Sequence, residues 1–333
     1  MYELHWGLPV IGYLFLAGVG AGAYTVSASV LLRGGGGGFS GDHFNIARYG
    51  ALLAPIPLIA GTGMIILELG TFQVAMAQGD IGLFFRWINL FLTINMSPMS
   101  LGSWILGVCI LASVAYAYTF LGKDSADGDD KDGLRQGLAW VGVPLGIAVA
   151  VYTGILLGAM PARPFWNTPI LAMLFLISAL STGVAGILLL RALFSQHHVA
   201  PAREVADAGG VSANRATYIL ASSDAMLIGF EILVIALLVI FAHLTIGNQA
   251  QAMSIILPGG ALATLFWGGV VAVGLVFPVL IELRYVIPTL LYQQPYEMPR
   301  GVEMAVCMVI LLGGFMLRYV VVVAGQLTGP MGI

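Results

Sequence analysis

Charged side chains are scarce in this sequence. Of its 333 residues, 13 are basic and 16 are acidic, so 9% are charged whereas 59% are hydrophobic. A soluble domain carries about 25% charged residues, and so small a charged fraction cannot cover a water-facing surface. The mean hydropathy of +0.96 indicates that lipid is the main solvent. The composition excludes a soluble enzyme and a disordered chain, and the net charge of −3 argues against nucleic acid as a partner.

Cysteine and histidine are also few. The two cysteines, Cys109 and Cys307, cannot hold an iron–sulfur cluster by themselves, because each cluster needs about four thiolates. A membrane cytochrome b needs axial histidines deep in the bilayer. The five histidines fall instead in loops or near the predicted outer surface: His5, His43, His197, His198 and His243. We therefore expect no haem, no iron–sulfur cluster and no metal site in this chain.

Long hydrophobic runs dominate what is present. A bilayer crossing needs about 20 mostly apolar residues, and eight such runs occur, roughly at 8–32, 47–71, 98–121, 138–158, 168–193, 216–246, 255–283 and 302–325. They predict an all-α polytopic membrane bundle of eight transmembrane helices, a single integral membrane domain over residues 1–333. Weak likeness between spans suggests four-helix halves, 1–160 and 161–333. The apolar stretch 86–95 is too short to cross and predicts an interfacial or re-entrant segment.

The basic residues are distributed unevenly between the two sides of these spans. The loops after spans one, three, five and seven hold ten of them: Arg33, Arg48, Lys123, Lys131, Arg135, Arg191, Arg203, Arg215, Arg284 and Arg300. The opposite side holds Arg86 and Arg163, and Arg318 lies within span eight. Because basic loops stay in the cytoplasm, this asymmetry predicts that both termini lie on the periplasmic side.

A glycine pattern in the first span has two readings. Gly18, Gly20 and Gly22 form a GxGxG sequence, which in a soluble βαβ unit would indicate a phosphate-binding turn. Here it lies inside a lipid-spanning run. We therefore interpret it as a surface of small residues that lets neighbouring helices approach closely.

Several polar residues fall within or beside the spans at the predicted outer side. An ionisable side chain at mid-bilayer costs about 2.5–3.5 kcal/mol on insertion scales, so it needs a partner, a cavity or a function. Glu68, Tyr152 and Arg318 lie within spans, and His5 and Arg163 flank them, all at similar predicted depth. Their convergence into one site is one interpretation. Separate interfacial anchoring with one Glu–Arg pair is the other.

Two acidic residues lie in span six. Asp224 and Glu231 are seven residues apart, which is about 700° of helix rotation, so they lie on one face two turns apart. A line of carboxylates on an inward face is typical of a proton path, and the alternative is polar contact between helices. Glu282, at the cytoplasmic end of span seven, is interpreted as extending to the interface or pairing with Arg284.

Four motifs together resemble the NrfD/PsrC family, the haem-free membrane subunits of iron–sulfur molybdoenzyme complexes. They are His5-Trp6-Gly7 before span one, the run Gly12-Tyr-Leu-Phe-Leu-Ala-Gly-Val-Gly-Ala-Gly22, Ser97-Pro-Met-Ser-Leu-Gly-Ser-Trp104 at the start of span three, and Tyr152-Thr153-Gly154 in span four. The motif that opens span three is the most specific of them. The resemblance covers most of the chain.

The resemblance implies a bacterial inner-membrane protein that binds a menaquinone- or ubiquinone-type carrier. It also implies two partners, a four-cluster ferredoxin-like iron–sulfur subunit and a molybdopterin catalytic subunit. By matching positions, His5 and Tyr152 correspond to groups suspected of holding quinone oxygens, and Asp224 and Glu231 resemble acids proposed for proton movement. Glu68, Arg163 and Arg318 are added as quinone-binding candidates on predicted depth alone.

The predicted function is therefore a quinone- or quinol-binding membrane anchor, with no catalysis expected from the chain alone. It would exchange electrons between the quinone pool and a periplasmic iron–sulfur/molybdopterin oxidoreductase. The rival class is a secondary transporter or ion carrier, whose broken helices usually occur as pairs in two inverted halves. The prolines within the spans do not form such pairs: Pro55, Pro57, Pro144, Pro258 and Pro278. A purely structural anchor is a third alternative.

Overall fold

The computed structural model describes residues 6–34, 42–68, 76, 78–79, 81–92, 97–121, 131–194, 210–292, 296 and 298–329. Within them it has eight helices long and apolar enough to cross a membrane, which confirms the predicted all-α bundle. We number these α1–α8: Leu8–Arg33, His43–Leu67, Pro98–Thr119, Asp132–Gly158, Ile170–Phe194, Tyr218–Leu244, Leu265–Tyr292 and Arg300–Leu327.

Helix α2 consists of two helical segments, Asp42–Leu53 and Pro55–Glu68. The junction is at Ala54, immediately before Pro55. Proline has no N–H to donate and restricts the residue before it, so a continuous helix is interrupted there. Between α2 and α3, the described residues form a short 3₁₀ helix, Ile81–Ile88, and one α-helical turn. Neither is long enough to cross a bilayer, as predicted for this stretch.

Helix α7 begins ten residues later than the predicted run 255–283. Residues 255–262 form turns and bends instead, and Gly259 has a φ of +97°, a left-handed conformation that favours glycine. The first part of α7, Leu265–Val276, is a π-helix. This form is rare in proteins, and where it occurs it is often at a functional site. Gly274 in this segment meets Gly313 of α8, where an added Cβ would lie 2.7 Å from the Gly313 Cα.

Helix α1 lies at the centre and packs against α2, α4 and α5. Its glycines make these approaches close. A Cβ at Gly18 would lie 3.5 Å from the Ala179 Cβ, one at Gly20 would lie 2.6 Å from Leu58, and one at Gly22 would overlap the Ala179 backbone. The interpretation of this run as a helix-packing surface is confirmed, since each glycine contacts a neighbouring helix.

Helix α5 is the second central element. It packs against α1 and α4 on one side and against α6 and α8 on the other. Side chains of α5 are therefore surrounded by protein rather than lipid, and they can link polar groups of α6 to polar groups of α8. The division into two four-helix halves stays a prediction.

Candidate functional site

A buried arginine anchors a polar cluster between α5, α6 and α8. Arg318 of α8 is fully buried. Its Nη1 donates to the Ser178 hydroxyl oxygen at 2.5 Å and to the Gly314 carbonyl oxygen at 2.9 Å. The guanidinium carbon lies 5.3 Å from the ring centre of Phe175. Glu231 of α6 also hydrogen-bonds to Ser178 and interacts electrostatically with Arg318. Ser178 thus bridges the cation and the carboxylate.

The second acid of α6 has an equivalent partner on α5. The Ser181 hydroxyl donates to Asp224 Oδ1 at 2.8 Å, and both side chains are buried. Ser178 and Ser181 are three residues apart and therefore neighbours on one helix face. Asp224 also interacts electrostatically with Glu231. The two serines of α5 face the two acids of α6, so the shared face that the seven-residue spacing predicts is formed in the structure.

Glu282 of α7 belongs to the same cluster. Our interpretation of it as an interfacial residue or a partner of Arg284 was wrong, because its side chain is only 2% exposed and interacts electrostatically with Asp224. Glu282 Oε2, Asp224 Oδ2 and the Nε and Nη2 of Arg318 are buried with no hydrogen-bond partner in the described part of the chain. Buried polar atoms are normally satisfied, so the carboxylate oxygens mark where a proton or water can bind and the arginine nitrogens mark where water can accept a hydrogen bond.

The cluster continues towards the predicted cytoplasmic end of the bundle. Tyr296, between α7 and α8, is buried and interacts electrostatically with Glu303 and Glu282. Burial, with the two carboxylates, raises the pKa of the Tyr296 phenol. Glu303 in turn interacts with Arg191 and Arg300. A series of ionisable groups therefore runs from Arg318 to this end of the molecule.

Tyr152 lies in a different place, about 9 Å from the predicted outer end of α4. Its ring rests directly on Gly102 of α3, where any Cβ would overlap it. Tyr13, about 8 Å from the start of α1, lies near Tyr152. Both rings are buried. In the described part of the chain, no hydrogen bond joins either hydroxyl to another residue.

Arg163 binds to the end of α8. Its Nη1 donates to the carbonyl oxygens of Gly325 and Gln326 at 3.2 and 2.9 Å. Basic side chains commonly bind the last carbonyls of a helix in this way. The Gln326 side chain accepts from the Trp6 N–H and donates to the Trp6 carbonyl oxygen, and the Trp6 ring stacks on Trp166 at 5.0 Å. Arg163 therefore holds the end of α8, to which Trp6 is also bound.

The described contacts join only some of the predicted site residues. They link Arg318 to Glu231 and Asp224, but they do not link Arg318 to Tyr152 or Arg163. Arg318 lies about 14 Å below the end of α8. His5 and the side chain of Glu68 are outside the described part of the chain, so their place in a site stays a prediction.

The polar residues of these clusters that were missed or misread in the sequence include Tyr13, Ser178, Ser181 and Glu282. A signal existed for two of them. Tyr13 is a phenol five residues inside an apolar run, and Glu282 is a carboxylate within a hydrophobic stretch. The serines gave no signal, because a hydroxyl in a membrane helix usually bonds to its own backbone.

The sequence is similar to known proteins over nearly its whole length. Residues 1–330 match the family model "Polysulphide reductase, NrfD". The C subunit of polysulfide reductase from Wolinella succinogenes is 28% identical, with 96% of the present protein and 94% of that subunit covered. Protein NrfD of Escherichia coli K12 is 26% identical, with 98% and 96% covered. With its eight apolar helices, the protein described here is a multi-pass membrane protein that belongs to the NrfD family.

Proposed function

We propose that this protein is the quinone-reactive membrane subunit of an oxidoreductase complex. It would exchange electrons between the membrane quinone pool and periplasmic iron–sulfur and molybdopterin subunits. The observation that carries this proposal is the Tyr13–Tyr152 pair, two buried phenols whose hydroxyls have no hydrogen-bond partner among the described residues. A ligand site in an apolar surround typically holds a few such convergent polar groups. One relative is, by its name, part of a reductase.

The residues present fit a menaquinone- or ubiquinone-type carrier. A bound quinone supplies two-electron, two-proton chemistry. Tyr152 and Tyr13 can each donate a hydrogen bond to an acceptor oxygen, and such positioned donors also move protons. Because Gly102 has no side chain, the Tyr152 ring can lie directly on the backbone of α3.

Three further residues near the same outer end belong to this proposal. His5 stays a proposed additional donor, since the neighbouring Trp6 is fixed to the end of α8. Arg163 acts as an anchor for that end rather than as a ligand, because its Nη1 is bound to backbone carbonyl oxygens. Glu68 stays a candidate on its predicted depth.

The buried acids support a proton path in the other half of the bundle. Glu231, Asp224 and Glu282 follow one another across α6 and α7, and Ser178 and Ser181 hydrogen-bond to the first two. Hydroxyl groups both donate and accept, so they can pass protons between carboxylates.

The path has two defined ends. Arg318 supplies a positive charge opposite Glu231 at the deep end. Tyr296 lies outside the spans at the other end, beside Glu282. The path would therefore connect the Tyr296 end of the bundle with Glu231.

The partners in this proposal follow from where electrons can enter. Two buried thiols, one in α3 and one in α8, are too few for a cluster. Electrons would therefore come from an iron–sulfur subunit docked at the predicted periplasmic ends of the helices, and that subunit would connect to a molybdopterin enzyme.

Tyr152→Phe in the purified complex tests the quinone proposal. Removing one neutral hydrogen bond costs about 0.5–1.5 kcal/mol, or about 2- to 12-fold in affinity, so we expect KM for a soluble quinol to rise by this factor. Tyr118→Phe is the matched control, because Tyr118 is 61% exposed on α3. Unchanged kinetics in both Tyr152→Phe and Tyr13→Phe would remove the pair from the site.

Ion uptake by vesicles that contain this protein without its partners and without quinone would favour the transporter alternative.

Glu282→Gln tests the proton path. The amide keeps the shape of the side chain but cannot release a proton, so we expect proton uptake from the Tyr296 side to slow at least about ten-fold. Binding of a quinone analogue at Tyr152 should be unchanged. Asp132→Asn at the start of α4 is the control, since that carboxylate pairs with Arg135 instead. Equal proton uptake in the Glu282→Gln and wild-type proteins would contradict a path through α7.

A further inference from the structure

A groove opens between four helices in the half of the bundle predicted to face the cytoplasm. Its volume is about 440 Å³, and its walls come from α1, α2, α5 and α6. The deep part is mainly aliphatic and is lined by Val26, Val30, Leu180, Val184, Leu220 and Leu227. From Thr25 to Arg33 the α1 wall is about 12 Å long. The groove is therefore long enough to take part of a linear hydrocarbon chain.

The hydroxyl groups in the groove already donate hydrogen bonds to backbone carbonyl oxygens of their own helices. Ser29 donates to the Thr25 carbonyl oxygen at 2.7 Å, Thr25 donates to the Ala21 carbonyl oxygen at 2.8 Å, and Ser223 donates to its own helix at 2.7 Å. A polar ring deep in the groove would find acceptors but no free donor. Burying a polar group without a hydrogen bond costs free energy, and a ligand whose inner part is apolar avoids that cost.

The mouth of the groove has the opposite character. Arg33, the last residue of α1, is exposed, and His43 lies beside it, since a Cβ on Gly34 would be 3.0 Å from the His43 Cβ. Neither side chain makes a hydrogen bond or ion pair with a described residue. None of the described lining residues is acidic. The mouth thus offers donors, one of them a fixed positive charge, to an anion at the membrane surface.

We propose that this groove binds an anionic phospholipid, with one acyl chain between α1, α5 and α6 and the headgroup phosphate held by Arg33 and His43. Basic pockets between helices at the cytoplasmic side suit such headgroups, and each nearby arginine contributes about 1 kcal/mol, or about five-fold in affinity.

Native mass spectrometry of the full-length protein in detergent, with added phosphatidylglycerol or phosphatidylcholine, tests this assignment. We expect preferential retention of one phosphatidylglycerol, reduced about five-fold by Arg33→Gln. Arg284→Gln is the matched control and should leave retention unchanged. It removes an exposed arginine of α7 that is predicted to lie on the same side of the membrane as Arg33. Met226→Trp, at a 60% exposed lining position, should block the groove without disturbing the interior.

Three outcomes would overturn the assignment. They are equal retention of the two lipids, equal losses in Arg33→Gln and Arg284→Gln, and co-purification of quinone that Met226→Trp removes. None of these readouts depends on electron transfer, so the lipid site and the proposed function can fail separately. A thermal melt of each variant separates loss of lipid from loss of folding.

Discussion

At the scale of single residues, Arg318 has the most demanding environment. Transferring a guanidinium into a low-dielectric interior is compensated only by good geometry and further hydrogen bonds. Arg318 has two hydrogen bonds from one nitrogen, an aromatic face and a nearby carboxylate, whereas Nε and Nη2 have no partner among the described residues. Glu231 is therefore needed to balance its charge, and each of the two residues depends on the other.

A double-mutant cycle on Arg318 and Glu231 should reveal this dependence. We expect each single change, Arg318→Met and Glu231→Gln, to destabilise the bundle, and the double variant to be less destabilised than their sum. Groups sharing one buried network couple by about 0.5–3 kcal/mol. Reversible unfolding in mixed micelles measures the coupling. Arg318→Met combined with the distant Asp132→Asn is the control and should be additive. Additivity in the first cycle would mean that the two charges act independently.

Gly102→Ala should displace the Tyr152 ring. An extra methyl group in a filled interior typically costs about 1–3 kcal/mol, and here it would overlap the phenol directly. We expect a lower melting temperature together with weaker quinone binding. Gly137→Ala in α4, where no atom lies within 4 Å of the new Cβ, is the matched control. A neutral effect of Gly102→Ala on both measurements would show that the ring can move at no cost.

The sequence predicts the site unevenly, for physical reasons. A carboxylate in an apolar span stands out, so Asp224 and Glu231 were found, and their seven-residue spacing places them on one face. Tertiary contacts cannot be read this way. From its position in span eight, Arg318 was predicted to lie with the outer-face residues. In the structure it is linked to Glu231 instead, because Ser178 of α5 lies between the two side chains. The role of Arg163 depends on the position of the α8 end, which spacing along the sequence does not give.

At the scale of elements, close contacts between small residues hold the bundle together. Lipid tails are as apolar as leucine, so association of helices in a membrane depends on close packing rather than on hydrophobic burial. Gly22 of α1 meets Ala179 and Gly183 of α5 backbone to backbone, and Gly274 of α7 meets Gly313 of α8. These two crossings fix the central helices relative to the polar cluster.

Gly22→Ala should separate α1 from α5. The new Cβ would overlap the Ala179 carbonyl, which is backbone and cannot rotate away. We expect a strong loss of folded protein, measured as monodisperse yield and melting temperature in detergent. Gly229→Ala in α6 has open space around its Cβ and should be tolerated. A normal yield of Gly22→Ala would indicate that this crossing is adjustable.

Element boundaries show what hydropathy can and cannot predict. The eight spans are recovered because a 20-residue apolar run is a strong signal. The predicted start of α7 was ten residues too early. Residues 255–264 are apolar, as in a span, but they contain a proline followed by two glycines, which favour turns. The π-helical geometry of Leu265–Val276 could not be predicted, because its residues are ordinary for an α-helix.

At the scale of the whole molecule, the eight described spans, an even number, put the start of α1 and the end of α8 on one side. The basic loops predict that this side is the periplasm. Alkaline phosphatase fused to the C-terminus should therefore be active, and a fusion in the loop after α3, within residues 122–130, should be inactive. Green fluorescent protein at the same positions should give the reverse pattern. An inactive C-terminal phosphatase fusion would invert the orientation, and with it the sides assigned to the phenol pair and the lipid groove.

The reciprocal hydrogen bonds between Trp6 and Gln326 have a consequence for engineering. Because the two ends of the described structure touch, a short peptide could join them with little loop-closure entropy. The protein could then be reopened within residues 122–130 as a circular permutant. Such a protein would carry both new termini at the opposite membrane surface, and the face where the original ends meet would be free of tags that could hinder a docking subunit.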